Sequence, residues 1–280
     1  MSKYYYNKDY FKVIDTPNKA YWLGFLYADG CINSSYHGAK LDSMTFEMTL
    51  CREDEQHLYK FAKCLETNVP IKQKINKFKG KEYLSSRITI CCTKMCYDLC
   101  AKGCTPQKTY NIKFPNNEIV SDDLMKDFIR GFFDGDGCIC VRSNNRIQLV
   151  ITGMSNMLED IANYLISKQV IRKVPKIHND KRSKCSAMFF YGADNVKDIL
   201  DYLYSGAEMY LDRKYNKYKD YYKDYKPLSK RGVYWDKYSK KYIATIYING
   251  KREFLGRTND LDEAIRMRKD AEIRKMNNLK

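Results

Sequence analysis

The stretch Gly24-Phe25-Leu26-Tyr27-Ala28-Asp29-Gly30-Cys31-Ile32 returns later in the chain as Gly131-Phe132-Phe133-Asp134-Gly135-Asp136-Gly137-Cys138-Ile139. In each copy an apolar run ends on an aspartate followed at once by glycine, which reads as a buried helix closed by a left-handed glycine. Asp29 and Asp136 then lie in the last turns of their helices. Gly24 and Ala28 are four residues apart, as are Gly131 and Gly135, so each helix carries a stripe along which a second backbone can come close. Packed stripe to stripe, the two helices would deliver both carboxylates to one end of a pseudo-twofold seam. Two negative charges beside the negative ends of two helix dipoles are unfavourable without a cation, and hard divalent ions that prefer oxygen ligands would relieve them.

Outward from the phrase, the surroundings repeat as well. Alternating runs at Met44–Leu50 and Arg87–Cys91 follow the first copy, and runs at Gln148–Thr152 and Ala187–Tyr191 follow the second. A helix-like segment trails each of them, so each half reads helix, hairpin, helix, hairpin, helix. The expected fold class is α+β: two pseudo-symmetric αββαββα halves at residues 1–115 and 116–226, packed through the repeated helices. A small three-stranded sheet with one helix is expected at residues 231–280.

The repeated phrase resembles the LAGLIDADG motif of homing endonucleases, in the monomeric form that carries two motifs in one chain. Trp22–Gly30 and Ile129–Gly137 lie over the nine motif positions, and the similarity runs over about residues 10–225. The resemblance implies a site-specific double-strand DNA endonuclease of a mobile genetic element, with magnesium or manganese as cofactor. It places the metal-binding acids on Asp29 and Asp136, with the carbonyls of Ala28 and Gly135 also facing metal. The sixth motif position, structural in such enzymes, is Tyr27 in one copy and Asp134 in the other. A basic residue near the scissile phosphates falls on Lys108 and Lys214, which follow Asp29 and Asp136 by 79 and 78 positions. Near-equal offsets are what a duplicated domain gives, and cations there would stabilise charge at a phosphoryl centre. Arg213 is an alternative to Lys214. The positions that would hold water near the metal fall on Leu50 and Gly153, neither of them suited to it.

Charge narrows the partners. With 280 residues and a formal charge of +16, the chain suits a polyanion. It has no run of about 18 apolar residues, which argues against a membrane span. Met1–Asp9 is polar and tyrosine-rich, so a signal peptide is not expected and the protein should be soluble and intracellular, while the resemblance implies a monomer. Eleven cysteines, an odd number, point to reduced thiols. Cys96, Cys100 and Cys104 share a predicted helix face but lack the knuckle spacing of structural zinc. His37, His57 and His178 are scattered and form no nuclease signature.

On the polar side of the hairpins, Lys72, Lys74, Lys77, Arg87, Arg142, Arg146, Lys176 and Arg182 are candidate DNA contacts, since two-stranded ribbons fit the major groove. The C-terminal phrases Gly232-Val233-Tyr234-Trp235-Asp236, Tyr242-Ile243-Ala244, Gly256-Arg257 and Asp262-Glu263-Ala264 resemble the ethylene-response-factor (APETALA-type) DNA-binding domain. That similarity implies contacts from Arg231, Trp235, Lys241, Tyr242 and Arg252. A GIY-YIG nuclease is only imitated by Gly232-Val233-Tyr234, because too little chain follows for its catalytic helix. The rival reading is a noncatalytic binder, either an intron RNA maturase or a DNA-binding regulator derived from such an enzyme.

Overall fold

The computed structural model describes residues 4–37, 40–78, 80–108, 111–143, 146–179, 185–223, 225, 232–248 and 250–277. Two compact units divide the chain, Met1–Lys223 and Asp224–Lys280.

In the first unit, α1 (Pro17–Asp29) is opened by Thr16, whose hydroxyl accepts from the Lys19 amide at 3.3 Å, and by Pro17 at its first turn. It runs into the hairpin β1 (Gly30–His37) and β2 (Lys40–Cys51), a 3-10 turn at Arg52–Asp54, and α2 (Glu55–Cys64). The hairpin β3 (Lys72–Phe78) and β4 (Lys81–Cys91) and the helix α3 (Thr93–Ala101) complete the first half. The second half repeats the order as α4 (Asp122–Asp136), β5 (Gly137–Val141), β6 (Ile147–Gly153), α5 (Ser155–Ser167), β7 (Ile177–Asn179), β8 (Ser186–Tyr191) and α6 (Ala193–Tyr204). A further helix, α7 (Asp212–Tyr222), follows.

The two antiparallel sheets share one permuted strand order, β1-β2-β4-β3 and β5-β6-β8-β7. Strand alternation sends Ile32, Phe46, Met48, Ile88 and Ile90 inward in one sheet and Ile139, Leu149, Ile151, Met188 and Phe190 inward in the other. Between them lie α1 and α4, buried almost all round by Tyr21, Trp22, Phe25, Phe128, Phe132 and Phe133. Their backbones touch. A Cβ at Gly24 would stand 2.0 Å from the Phe128 carbonyl oxygen, and one at Gly131 only 1.9 Å from that of Tyr21.

Gly30 and Gly137 differ from the left-handed caps expected from the sequence. Both are extended, at φ −78°, ψ 144° and φ −91°, ψ 163°, because the first strand of each half begins on them without a loop. Glycine is demanded there by closeness, since a Cβ would lie 2.6 Å from the Leu26 carbonyl oxygen or 2.4 Å from that of Phe133.

The second unit holds β9 (Val233–Asp236), β10 (Lys241–Ile248) and β11 (Lys251–Thr258) in the order β11-β10-β9, followed by α8 (Leu261–Asn277). Val233, Ala244 and Ala264 form its core, with Tyr242, Leu255 and Met267 packed on them. Among the described residues, no helix is long and apolar enough to cross a membrane.

Candidate active site at the ends of the paired helices

Because each helix passes directly into a strand, Asp29 and Asp136 sit at fixed junctions rather than on loops. Both are half-buried, and a Cβ on Gly135 would stand 3.4 Å from Asp29 Oδ2, which places the first carboxylate over the end of the second helix. Burial raises the pKa of Asp29, opposed by Lys214 and Lys108 and reinforced by Asp54. Asp136 is pushed up to about 6 by burial and then by the charge of Asp29. This is a like-charge pair at a shared seam, as the repeated phrase implied.

Lys108 and Lys214 reach the same helix ends. The Lys108 ammonium donates to the Gly30 carbonyl and lies 3.5 Å from that of Ala28. The Lys214 ammonium donates to the carbonyls of Phe133, Asp134 and Gly135 at 2.8, 2.6 and 3.2 Å. Both side chains are buried, and each places a cation at the negative end of a helix. Burial lowers the pKa of Lys214, opposed by Asp134, with Arg213 adding to the fall. The carbonyls of Ala28 and Gly135, expected to face metal, each lie beside a lysine ammonium. Among the described residues, no three His, Cys, Asp or Glu side chains gather into a metal cluster.

The sixth motif position has the same task in both halves. Asp134 is 1% exposed and accepts from Tyr21 Oη at 2.8 Å, Tyr204 Oη at 2.6 Å and the Leu211 amide at 2.8 Å. Tyr27 donates to the Lys102 carbonyl. Each therefore ties down the segment leading to its lysine. Arg130 helps in the second half, donating to the carbonyls of Met209 at 2.9 Å and Leu203 at 3.1 Å and pairing with Asp127 at 2.7 Å. Behind Tyr21, His57 lies 2.9 Å away through Nε2; burial lowers its pKa to about 3, so it is a neutral packing group.

Three residues that matter here escaped the sequence reading: Asp54, Arg130 and Lys60. Arg213, the alternative to Lys214, is instead locked to Asp54, with Nε 3.1 and 3.2 Å and Nη2 2.8 Å from its carboxylate oxygens. An arginine within the apolar run Phe128–Phe133 was a signal for Arg130; Asp54 and Lys60 carried none. Leu50 is buried in the core, and Gly153 offers no side chain to hold water. Cys96 and Cys104 are buried thiols raised to about 12, suited to packing.

The candidate contacts divide by strand register. Lys72, Lys74 and Arg87 share the outer face of the first sheet, where Arg87 pairs with Glu47 at 3.2 Å. Lys77 has the opposite parity, beside Ile75 and Leu84, and pairs with Glu82 at 3.1 Å. Arg142 donates to Gln148 Oε1 at 3.2 and 2.7 Å, while Arg146 and Lys176 are exposed. In the second unit Trp235 and Tyr242 are paired on the side that carries α8, stacked edge to face at 4.8 Å. Lys241 and Arg252 occupy the open face, where the Arg252 guanidinium lies 4.9 Å from the Tyr234 ring centroid. Arg182 and Arg231 lie outside the described residues.

No protein-family model matches the chain. Among curated proteins it is similar to a "Probable translation initiation factor IF-2" of Methanocaldococcus jannaschii, 23% identical over 186 residues, spanning 64% of this chain but only 14% of that protein. Among solved structures it is similar to the homing endonuclease I-GzeII in complex with its DNA target, with a TM-score of 0.48, 12% identity, and coverage of 74% of this chain and 89% of that one. Similar values hold for I-SmaMI bound to cleaved DNA, with a TM-score of 0.48, 14% identity, and coverage of 75% and 89%.

Proposed function

We propose that the protein is a site-specific endonuclease that hydrolyses phosphodiesters on both strands of duplex DNA, with Asp29 and Asp136 as ligands for divalent metal. The observation that carries this reading is the meeting of two half-buried carboxylates from different halves at the open end of one helix seam. A magnesium or manganese ion bound there would supply an activated water and neutralise phosphoryl charge. The donor set suits it: two hard carboxylates, with phosphate and water oxygens to complete the shell. Asp29 and Asp136 hold their oxygens at loop-free junctions, which fixes them before substrate arrives. Lys108 and Lys214 provide buried positive charge that opposes the repulsion within the acid pair. Lys72, Lys74 and Arg87, on one outer face, would grip the phosphate backbone and groove.

The test is cleavage of a plasmid library of candidate target sites in magnesium. Wild-type protein is expected to linearise a subset, and Asp29→Asn or Asp136→Asn should each reduce linear product by about a hundred- to a thousandfold, the range for losing one electrostatic element of an active site. Undiminished cutting by either variant overturns the assignment. A second reading is favoured by the lysines' bonds to helix-end carbonyls, which are also what structural caps would make. Selective DNA or intron-RNA binding by a wild-type protein that never cuts would establish that noncatalytic role.

A further inference from the structure

The segment Tyr210–Lys214 belongs to the second half but is gripped by the first. Lys60 Nζ, on α2, is 3.1 Å from the Tyr210 carbonyl, 2.7 Å from Asp212 Oδ1 and 5.1 Å from the Tyr210 ring centroid. Asp54 takes the Arg213 guanidinium on both carboxylate oxygens and also accepts from Cys51 Sγ at 3.2 Å. Lys214 is the next residue, in the first turn of α7, with its amide bonded to the Leu211 carbonyl at 3.0 Å. Fixing Arg213 therefore fixes the turn from which the ammonium extends.

Among the described residues, no such grip from the second half reaches the segment before Lys108. The segment before Lys108 is tied within its own half, by Tyr27 to the Lys102 carbonyl and by Cys104 Sγ to the Leu26 carbonyl at 3.7 Å. The source of the difference is visible in the register. Met48 faces Gly30 and Ile151 faces Gly137, so the strands correspond at an offset of 103. The buried residues Leu58, Ala62 and Leu65 match Leu158, Ala162 and Leu165 at an offset of 100. The three residues by which the first half is longer between this strand and this helix are the turn Arg52–Asp54, and they carry the acid.

We propose that Asp54 and Lys60 are positioning residues for Lys214, setting its ammonium at the end of α4 from across the seam. Asp54 dominates, because it is buried and would be left uncompensated without the guanidinium. The Lys60–Asp212 pair is partly exposed and contributes less. Lys214 acquires a part in DNA cleavage only through the reading above, but its placement by the first half can be tested without DNA.

Full-length protein is pulse-labelled with acetic anhydride, and acetylation of Lys214 is compared with that of Lys108 by peptide mass spectrometry. Asp54→Asn and Arg213→Gln are expected to raise Lys214 labelling roughly tenfold with Lys108 unchanged, and Lys60→Ala to raise it about threefold. Arg213→Lys should restore part of the protection. Where a single variant fails to fold, the pair Asp54→Asn with Arg213→Gln, neutral on both sides, decides the matter. Unchanged Lys214 labelling, or a parallel rise at Lys108, overturns the proposal. On a DNA that wild type cuts, the same variants should slow one strand more than the other and accumulate nicked product; equal slowing removes the link to catalysis. A wild type that cuts nothing defeats the nuclease reading and leaves the labelling result standing.

Discussion

Among the described residues, the segment leading to the first half's lysine is tied by that half alone, whereas the segment leading to the second half's lysine is tied by residues of both halves. Both halves share one strand order and one helix register, and both lysines end on the carbonyls of a motif helix. What diverged is the brace: Tyr27 and Cys104 in one case, Asp134, Arg130, Asp54 and Lys60 in the other. A repeated backbone can thus present the same pair of functional groups while distributing the cost of fixing them unequally.

The two halves should differ most in stability at the sixth motif position. Asp134→Ala leaves two phenols and an amide without their acceptor and should cost at least about 3 kcal/mol in urea unfolding. Tyr27→Phe loses one hydrogen bond and should cost about 1 kcal/mol. Equal costs would show that the two braces carry equal load.

A smaller effect lies in pH. Asp136 in the folded protein titrates at about 6 rather than at its ordinary 3.8, so the folded state binds its proton more tightly than the unfolded chain does. Stability from this group is fully present below about pH 4 and is lost as pH rises to about 6, by roughly 2 to 3 kcal/mol. Urea unfolding in chelator should show that decline, and Asp136→Asn should flatten it. Asp29→Asn removes the neighbouring charge and should flatten it in part; full flattening would mean that the two acids titrate as one unit.

The smallest test contrasts two faces of one hairpin. Lys72→Ala should weaken DNA binding severalfold and reduce the salt slope by about one. Lys77→Ala should change affinity by less than about twofold, because it lies on the other face and is paired with Glu82.

The repeated phrase disclosed the helix pair and the acids, since a small-residue stripe and an Asp-Gly junction are local features. Lys108 and Lys214 were legible through the family resemblance, supported by their near-equal offsets of 79 and 78 positions from those acids. Gly30 and Gly137 were read as left-handed caps because sequence shows that glycine is needed but not whether angle or closeness requires it. Lys77 was grouped with Lys72 and Lys74 by its charge, although its odd spacing from them turns it to the opposite face of the strand. Trp235 and Tyr242 were grouped with Lys241 and Arg252 through the family resemblance, whereas the register puts the two pairs on opposite faces of the sheet. Asp54 and Lys60 could not be foreseen. Their partners stand 159 and 152 residues away, and only the packing of the two halves brings them together.

The turn Arg52–Asp54 has a consequence for exchange between the halves. A symmetric protein assembled from two first halves would bury two Asp54 carboxylates with no guanidinium to meet them, and one assembled from two second halves would present two Arg213 side chains with no acid. The ion pair therefore works as a one-way latch on duplication: once it formed, neither repeat could replace the other. Recombination that shuffles such modules must carry residues 52–60 and 210–214 as one linked cassette.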